Sequence, residues 1–151
     1  MASSSFASAS VAIVAPPSRV WDVLVHVEQW PEWTPTVAAV ERLDTGPLAV
    51  GSRTRILQPR LRPAVWQVTE LDQAKGVFVW IAHSPGITVT GGHYIHPTPL
   101  GSHATLTIEF SGLLAPLVRL KIGKLTRQYV QTEAESLKQR SETWRQQRTG
   151  S

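Results

Sequence analysis

The side chain in this sequence best suited to acid–base chemistry is that of His93. Imidazole is the group whose ordinary pKa lies closest to neutral, so a histidine can accept or donate a proton under physiological conditions. The chain has five histidines. His93 follows Gly91 and Gly92, a pair that tolerates a β-bulge, and it lies in a stretch predicted to be a strand. Its value for chemistry depends on whether it faces the interior.

The orientation of His93 follows from a predicted hairpin between residues 87–97 and 102–112. If the turn is centred just after Pro99, the numbers of paired residues sum to about 199, because antiparallel partners are equidistant from the turn. This register sets His93 opposite Leu106. The strand 102–112 alternates apolar and polar residues, and Leu106 is on its apolar face. His93 is therefore predicted to face inward.

An inward His93 is compatible with three roles. It could act as a general acid–base, it could be a buried neutral imidazole bonded to a backbone group, or it could donate or accept a hydrogen bond with a ligand. An enzyme that removes a proton next to a carbonyl also needs donors to hold the resulting enolate. Tyr129 or Arg55 could supply them, so the candidate catalytic residues are His93, Tyr129 and Arg55. The chemistry would be the removal and return of a proton by acid–base catalysis.

No metal site and no cofactor is predicted. The chain has no cysteine, which excludes disulfides, thiol catalysis and cysteine-ligated zinc. The hairpin register sets His96 opposite His103 on the outer face, but two imidazoles without a third ligand make a weak metal site. The glycine pair 91–92 does not match a phosphate-binding loop.

The length of 151 residues corresponds to about one domain. We expect a single domain at 1–146 and a polar tail at 147–151. The segment 1–17 has neither a basic start nor a long apolar run, which argues against a secretory signal or a membrane span. The sequence predicts a cytoplasmic protein, monomeric or homodimeric, without stable membrane insertion.

The net charge of +4 and the pI near 10 come largely from the C-terminal segment. Three glutamates, Glu133, Glu135 and Glu142, are interleaved with its basic residues, which favours a solvated helix face over a nucleic-acid site. No nucleic-acid partner is therefore expected, and a docking role of this face remains an alternative. The basic residues are Arg119, Lys121, Lys124, Arg127, Lys138, Arg140, Arg145 and Arg148.

The elements that must position these groups follow from periodicity. Apolar residues at three- and four-residue steps predict a long helix over 113–145. Proline at a first helical turn favours a short helix from Pro17, and the segment Trp30–Trp33 fits a single turn with an extended exit.

The strand 76–83 is apolar on both faces, so its outer face needs a cover such as Trp66 or a second subunit. Seven strands are predicted, at 5–14, 37–43, 51–58, 64–71, 76–83, 87–97 and 102–112.

Several of these segments carry a resemblance to a known family. The segments are APPSRVWDVL at 15–24, WPEWTP at 30–35, VGS at 50–52, WQVTE at 66–70, FVW at 78–80 and YVQTEAESLK at 129–138. Over roughly residues 6–142, the sequence resembles the SRPBCC or START-like superfamily, in particular the polyketide cyclase/dehydrase type.

The resemblance implies an α+β helix-grip fold. In that fold a curved seven-stranded antiparallel sheet surrounds a long C-terminal helix, two short helices follow strand 1, and an apolar tunnel lies between sheet and helix. Members bind or transform lipids, sterols, hormones and aromatic polyketides, so the implied partner is a small hydrophobic molecule.

The residues expected to contact that molecule come from the inward strand faces, the tryptophan turn and the long helix. The resemblance implies that Phe78 and Trp80 line the interior. The full expected set is Trp33, Phe78, Trp80, Ile95, Leu106, Ile108, Val118, Ile122, Leu125 and Tyr129.

Three functions remain open at this point. The first is binding of a small hydrophobic or aromatic molecule in the cavity between the sheet and the C-terminal helix. The second is a cyclase or dehydratase that uses His93 as general acid–base in the same cavity. The third is an interaction adaptor that docks through the basic helix face.

Overall fold

The computed structural model describes residues 6–149. Three helices and seven strands occur in this part of the chain, with a 3₁₀ turn at Val27–Gln29. The helices are α1 (Pro17–Val25), α2 (Trp30–Trp33) and α3 (Ala115–Thr149). The strands are β1 (Ala7–Ile13), β2 (Ala39–Arg42), β3 (Arg53–Leu57), β4 (Ala64–Asp72), β5 (Val77–Ser84), β6 (Ile87–Thr98) and β7 (Gly101–Ser111).

The strands form one antiparallel sheet in the order β1-β7-β6-β5-β4-β3-β2. Helix α3 packs mainly against β1 and β7, and α1 packs against α3 and β6. A sheet of consecutive hairpins with its helices on one face buries that face and leaves the other toward solvent. The predicted α+β architecture, with two short helices after β1 and one long C-terminal helix, is confirmed.

The register predicted for the β6–β7 hairpin is also confirmed. His93 pairs with Leu106, and His96 pairs with His103. His93 is 4% exposed, whereas His96 is exposed on the outer face. Turn position therefore determined which histidine enters the interior.

Strand β2 is shorter than predicted because a tight turn precedes it. The Val37 amide donates to the Thr34 carbonyl, and the hydroxyls of Thr34 and Thr36 are hydrogen-bonded at 2.8 Å. Both threonines are almost fully buried. Since this turn engages residues 34–37, pairing with β3 begins only at Ala39.

A bulge is present in β4 rather than at the glycine pair of β6. The register shifts between Val68 and Glu70, whereas Gly91 and Gly92 pair regularly on both sides. The two glycines instead allow aromatic rings to pack closely against the backbone of β6. A Cβ on Gly91 would lie 3.1 Å from the Trp80 ring, so a larger residue there would force the indole to move.

The outer face of β5 is not covered by Trp66, which is buried on the inner face with its ring centroid 5.6 Å from that of Trp80. Val77 and Val79 are only half-buried. Their neighbour on β6 is Tyr94, which pairs with Val77 and whose ring lies close to Gly92.

Helix α1 has Pro17 in its first turn and buries one face, including Val20 and Leu24. Helix α3 begins at Ala115, two residues after the predicted start. Gly112 has φ 107°, and the Leu114 amide donates to Gly86. This left-handed glycine lets the chain turn from β7 into the helix.

The helix continues to Thr149, so 147–149 of the predicted tail are helical and 150–151 lie outside the described residues. No helix in residues 6–149 is both long and apolar enough to cross a membrane.

Candidate functional site

His93 lies at the inner end of the space between the sheet and α3. Its Nδ1 is 2.9 Å from the Phe78 carbonyl oxygen. Because a carbonyl oxygen only accepts hydrogen bonds, Nδ1 carries a proton and donates it, which leaves Nε2 with the lone pair in the neutral ring. The ring stacks on Phe78, with centroids 4.7 Å apart, and the edges of Trp30 and Trp80 complete its surroundings. The position and tautomer of His93 are thus set by the protein.

Glu133 of α3 lies opposite the free nitrogen of His93. Its Oε1 is 3.7 Å from His93 Nε2, and the two side chains are 16% and 5% exposed. An unprotonated Nε2 and a carboxylate are both acceptors, and at 3.7 Å the two atoms are too far apart for a direct hydrogen bond. The arrangement can therefore accept hydrogen bonds from a bound hydroxyl.

The role of Glu133 was missed in the sequence, where it was assigned only to the solvated helix face. The sequence signal for its orientation is its spacing from buried apolar residues of the same helix. Glu133 lies three residues after Val130 and four before Leu137, both of which are buried. Residues at these steps share one helix face, so a carboxylate there had to point toward the sheet.

Two adjoining spaces surround this pair. A narrow pocket of about 60 Å³ lies directly against His93, Trp80 and Leu106. A wider cavity of about 450 Å³ continues between the sheet and the first half of α3. The residues that line both are Gln58, Trp66, Ile108, Val130 and Glu133.

The wide cavity has apolar walls and a polar mouth. Ile108, Phe110, Val118 and Ile122 contribute to the walls. The hydroxyl of Tyr129 donates to the Pro59 carbonyl, which ties α3 to the β3–β4 loop at the mouth. Three cationic side chains also line this space, Arg60, Arg62 and Lys121.

Six of the ten residues expected to contact a ligand line these spaces. Trp80 and Leu106 border the narrow pocket, and Ile108 borders both. The other three line the wide cavity and are Val118, Ile122 and Tyr129.

The remaining four do not line either space. Phe78 and Ile95 face inward but are 0% and 3% exposed, within the packed core. Trp33 lies outside the cavity, in a groove that it lines together with Arg140 of α3. Leu125 is half-buried on α3.

The prediction that Arg55 joins His93 is wrong. Arg55 points to the outer face, where its side chain is 55% exposed and its Nη1 is 3.4 Å from Glu41 Oε1. The reason is the strand period of two, since Thr54 and Ile56 on either side are buried. Tyr129 is on the correct side but sits at the mouth, engaged with Pro59, rather than beside His93. Glu133 takes the place of both as the polar partner.

Comparison with known proteins supports the fold described above. The chain matches no curated protein at a significant level. Among solved structures it is similar to the Zhui aromatase/cyclase from a Streptomyces species, with 18% identity, coverage of 90% of this chain and 92% of that one, and a TM-score of 0.74. It is also similar to protein TTHA0849 from Thermus thermophilus, with 19% identity, coverage of 89% and 95%, and a TM-score of 0.72.

A hypothetical protein from Helicobacter pylori, jhp0584, superimposes with a TM-score of 0.77 at 12% identity and covers 89% of this chain and 86% of that one. At such identities these likenesses establish the fold alone. Residues 7–142 match the family described as polyketide cyclase / dehydrase and lipid transport. That match spans most of the sequence and confirms the resemblance seen in its motifs. The chain therefore belongs to the polyketide cyclase / dehydrase and lipid transport family.

Proposed function

We propose that this protein binds a small hydrophobic or aromatic molecule in the wide cavity between the sheet and α3. The observation that carries the proposal is an apolar-walled space of about 450 Å³ that reaches Glu133 and adjoins the narrow pocket at His93. Small-molecule sites are typically concave, mostly apolar and supplied with a few placed polar groups. Family membership supports the same class of ligand.

The walls favour a ligand with a flat apolar body and a polar group at one end. The indoles of Trp66 and Trp80 lie together at the inner end, next to His93. Aromatic faces stack well on flat rings. A hydroxyl on the ligand could donate to His93 Nε2, since Nδ1 is already engaged with Phe78.

The ligand can be sought by native mass spectrometry of the protein purified from its host, and its binding then measured by tryptophan fluorescence. Ile122→Trp fills the cavity from α3 and is expected to weaken binding at least tenfold. Gln128→Trp adds the same side chain at an exposed position of the same helix and serves as the control. Equal affinity of both variants would exclude the wide cavity as the binding site.

The His93–Glu133 pair favours a second candidate function, a dehydration or cyclisation by acid–base chemistry. His93 Nε2 would take a proton from a carbon next to a carbonyl, and Glu133 at 3.7 Å would stabilise the imidazolium formed. In a dehydration, that proton is returned to the departing hydroxyl, so that a carbon–carbon double bond and water are the products. His93 is the catalytic residue in this scheme.

The two functions are separated by conservative variants. His93→Gln and Glu133→Gln retain size and polarity. If the protein is an enzyme, turnover of the identified ligand should fall by roughly 10²–10⁴-fold with binding changed far less. If it is only a binding protein, no turnover is detected in either variant or in the wild type. Monomeric or homodimeric assembly, cytoplasmic location and the lack of a nucleic-acid partner remain predictions.

A further inference from the structure

The most exposed of the four solvent-exposed leucines in the segment 113–120 are Leu113, just before α3, and Leu117 and Leu120 in its first turns. Leu113, Leu117 and Leu120 are 95%, 64% and 85% exposed. They lie within eight residues of sequence, and Leu117 and Leu120 share the helix face turned away from the sheet. Single exposed apolar residues are ordinary, but a group on one face marks an interaction surface.

The charge around these leucines is of one sign. Between Glu109 and Glu133 the sequence has four basic residues and no acidic one. Arg119 and Arg127 lie over the ring of Phe6, at 5.9 and 4.4 Å.

Lys121 and Lys124 are exposed beside the leucines. We call Leu113, Leu117, Leu120, Lys121 and Lys124 the leucine–lysine surface. It differs from the second half of α3, where glutamates alternate with the basic residues.

The leucine–lysine surface adjoins the mouth of the wide cavity. Lys121 belongs to the surface and also lines that cavity, together with Arg60 and Arg62 of the β3–β4 loop. The loop is held against α3 by the bond from Tyr129 to Pro59. No acidic residue occurs between Asp44 and Glu70 in the sequence either, so the loop adds to the positive field at this end of the molecule.

We propose that the leucine–lysine surface docks on the surface of an anionic lipid bilayer. Two interactions hold a protein at a bilayer surface: apolar side chains enter the boundary between headgroups and acyl chains, and cations are attracted to acidic lipids. The exposed leucines can make the first and the lysines the second. A second copy of the same surface fits poorly, because two-fold pairing would bring the lysines of both copies together. Docking places the mouth of the cavity beside the bilayer, because Lys121 belongs both to the surface and to the cavity lining, and it does not depend on what the cavity binds.

The first experiment is flotation of the purified protein with vesicles. Binding is expected to vesicles that contain phosphatidylglycerol, to be weaker to pure phosphatidylcholine, and to decline as salt is raised. The variant Leu117→Ser/Leu120→Ser should lower the partition coefficient by roughly tenfold or more, since it removes the apolar contact. Leu100→Ser, also at an 81% exposed leucine but in the β6–β7 turn at the far end of the sheet, should bind like the wild type.

The second experiment tests the charge. Lys124→Glu replaces a cation on the proposed surface and should weaken binding to the acidic vesicles by at least roughly fivefold, because each cation near such a surface contributes about that factor. Lys75→Glu makes the same change in the β4–β5 turn, away from the mouth, and should have a much smaller effect. Thermal unfolding of each variant by circular dichroism verifies that the fold is retained.

Several outcomes would overturn the proposal. They are equal binding to acidic and neutral vesicles, equal losses in Lys124→Glu and Lys75→Glu, and no vesicle binding by the wild type. A wild-type dimer that Leu117→Ser/Leu120→Ser converts to a monomer would assign the surface to self-association instead.

Discussion

The two halves of α3 are packed in different ways. In the second half, Ala134, Leu137 and Ser141 are 0% exposed and lie against the body of the domain. In the first half, Val118 and Ile122 border a cavity of about 450 Å³. One continuous helix thus combines a segment embedded in the core with a segment that forms a wall.

The two halves of α3 also differ in their polar contacts. Lys138 donates to both the Ala12 carbonyl and Glu142, Glu142 accepts from the Val14 amide, and Arg140 lies 3.4 Å from Glu32. These bonds attach the second half to β1 and α2. The first half is attached mainly by Tyr129 at the mouth and by Arg119, which donates to the Phe110 carbonyl. A helix held at one end can form a cavity at the other without losing its place on the sheet.

The largest expected effect is a core truncation in the second half. Leu137→Ala removes a fully buried side chain and should lower the free energy of unfolding by about 2–5 kcal/mol. Ile122→Ala is the matched change in the first half and should have a much smaller effect, because this residue already borders empty space. Urea unfolding measures both. Similar losses would mean that the first half is as closely packed as the second.

Enlarging side chains should give the next largest difference. Ala134→Leu inserts three carbons where the helix meets the core and should destabilise the fold by about 1–3 kcal/mol. Val118→Leu adds one methylene toward the cavity and should change the free energy of unfolding by less than about 0.5 kcal/mol. A large loss in Val118→Leu would contradict the proposed free space beside α3. The melting temperatures of the two variants are a sufficient readout.

Much of this framework was predictable because it depends on local rules. The centre of one turn fixed the pairing of His93 with Leu106, and the 3.6-residue period located α3 to within a few residues. The outward orientation of Arg55 was equally predictable, since the strand period of two places Arg55 on the face opposite to Thr54 and Ile56, which are buried.

The walls of the cavity were less predictable, because facing inward is different from facing empty space. Phe78, Ile95 and Ile108 all point to the inner side of the sheet, yet only Ile108 borders the cavity. The difference depends on where α3 departs from the sheet, which no strand period encodes. Trp30 and Trp33 show the same limit, since within a single helical turn only Trp30 reaches the narrow pocket.

The two halves should also differ in how readily they open. Beyond the first turn with its Pro116, Gly123 has the lowest helix propensity in the first half, by about 1 kcal/mol relative to alanine, and Phe6 packs against it. We expect amides around Gly123 to exchange with deuterium roughly tenfold faster than those around Leu137, through local opening. Exchange measured by mass spectrometry on peptides from each half gives the comparison. Equal protection at Gly123 and on both sides of it would mean that the helix opens as one unit.

The smallest expected effect concerns pH and the attachment of the second half through Glu142. Burial raises the pKa of this carboxyl, but hydrogen bonds from Lys138 and the Val14 amide, with the charge of Lys138, outweigh it and bring the pKa below its usual 4.5. A lowered folded-state pKa means that the carboxylate stabilises the fold above the unfolded-state value and that this contribution is lost as the pH falls through the folded-state value.

Glu142→Gln should therefore lower the free energy of unfolding by under about 1 kcal/mol at pH 7, since the Lys138–Glu142 pair is partly exposed. The loss should become smaller as the pH falls below 4.5. Glu135→Gln, at an exposed position on the same helix, is the control for loss of one negative charge. If the difference in the free energy of unfolding between Glu142→Gln and the wild type stays constant from pH 7 to below 4.5, the carboxylate does not attach this half of α3 to β1. The aliphatic parts of Lys138 and Glu142 would then hold the contact, because their packing is independent of pH.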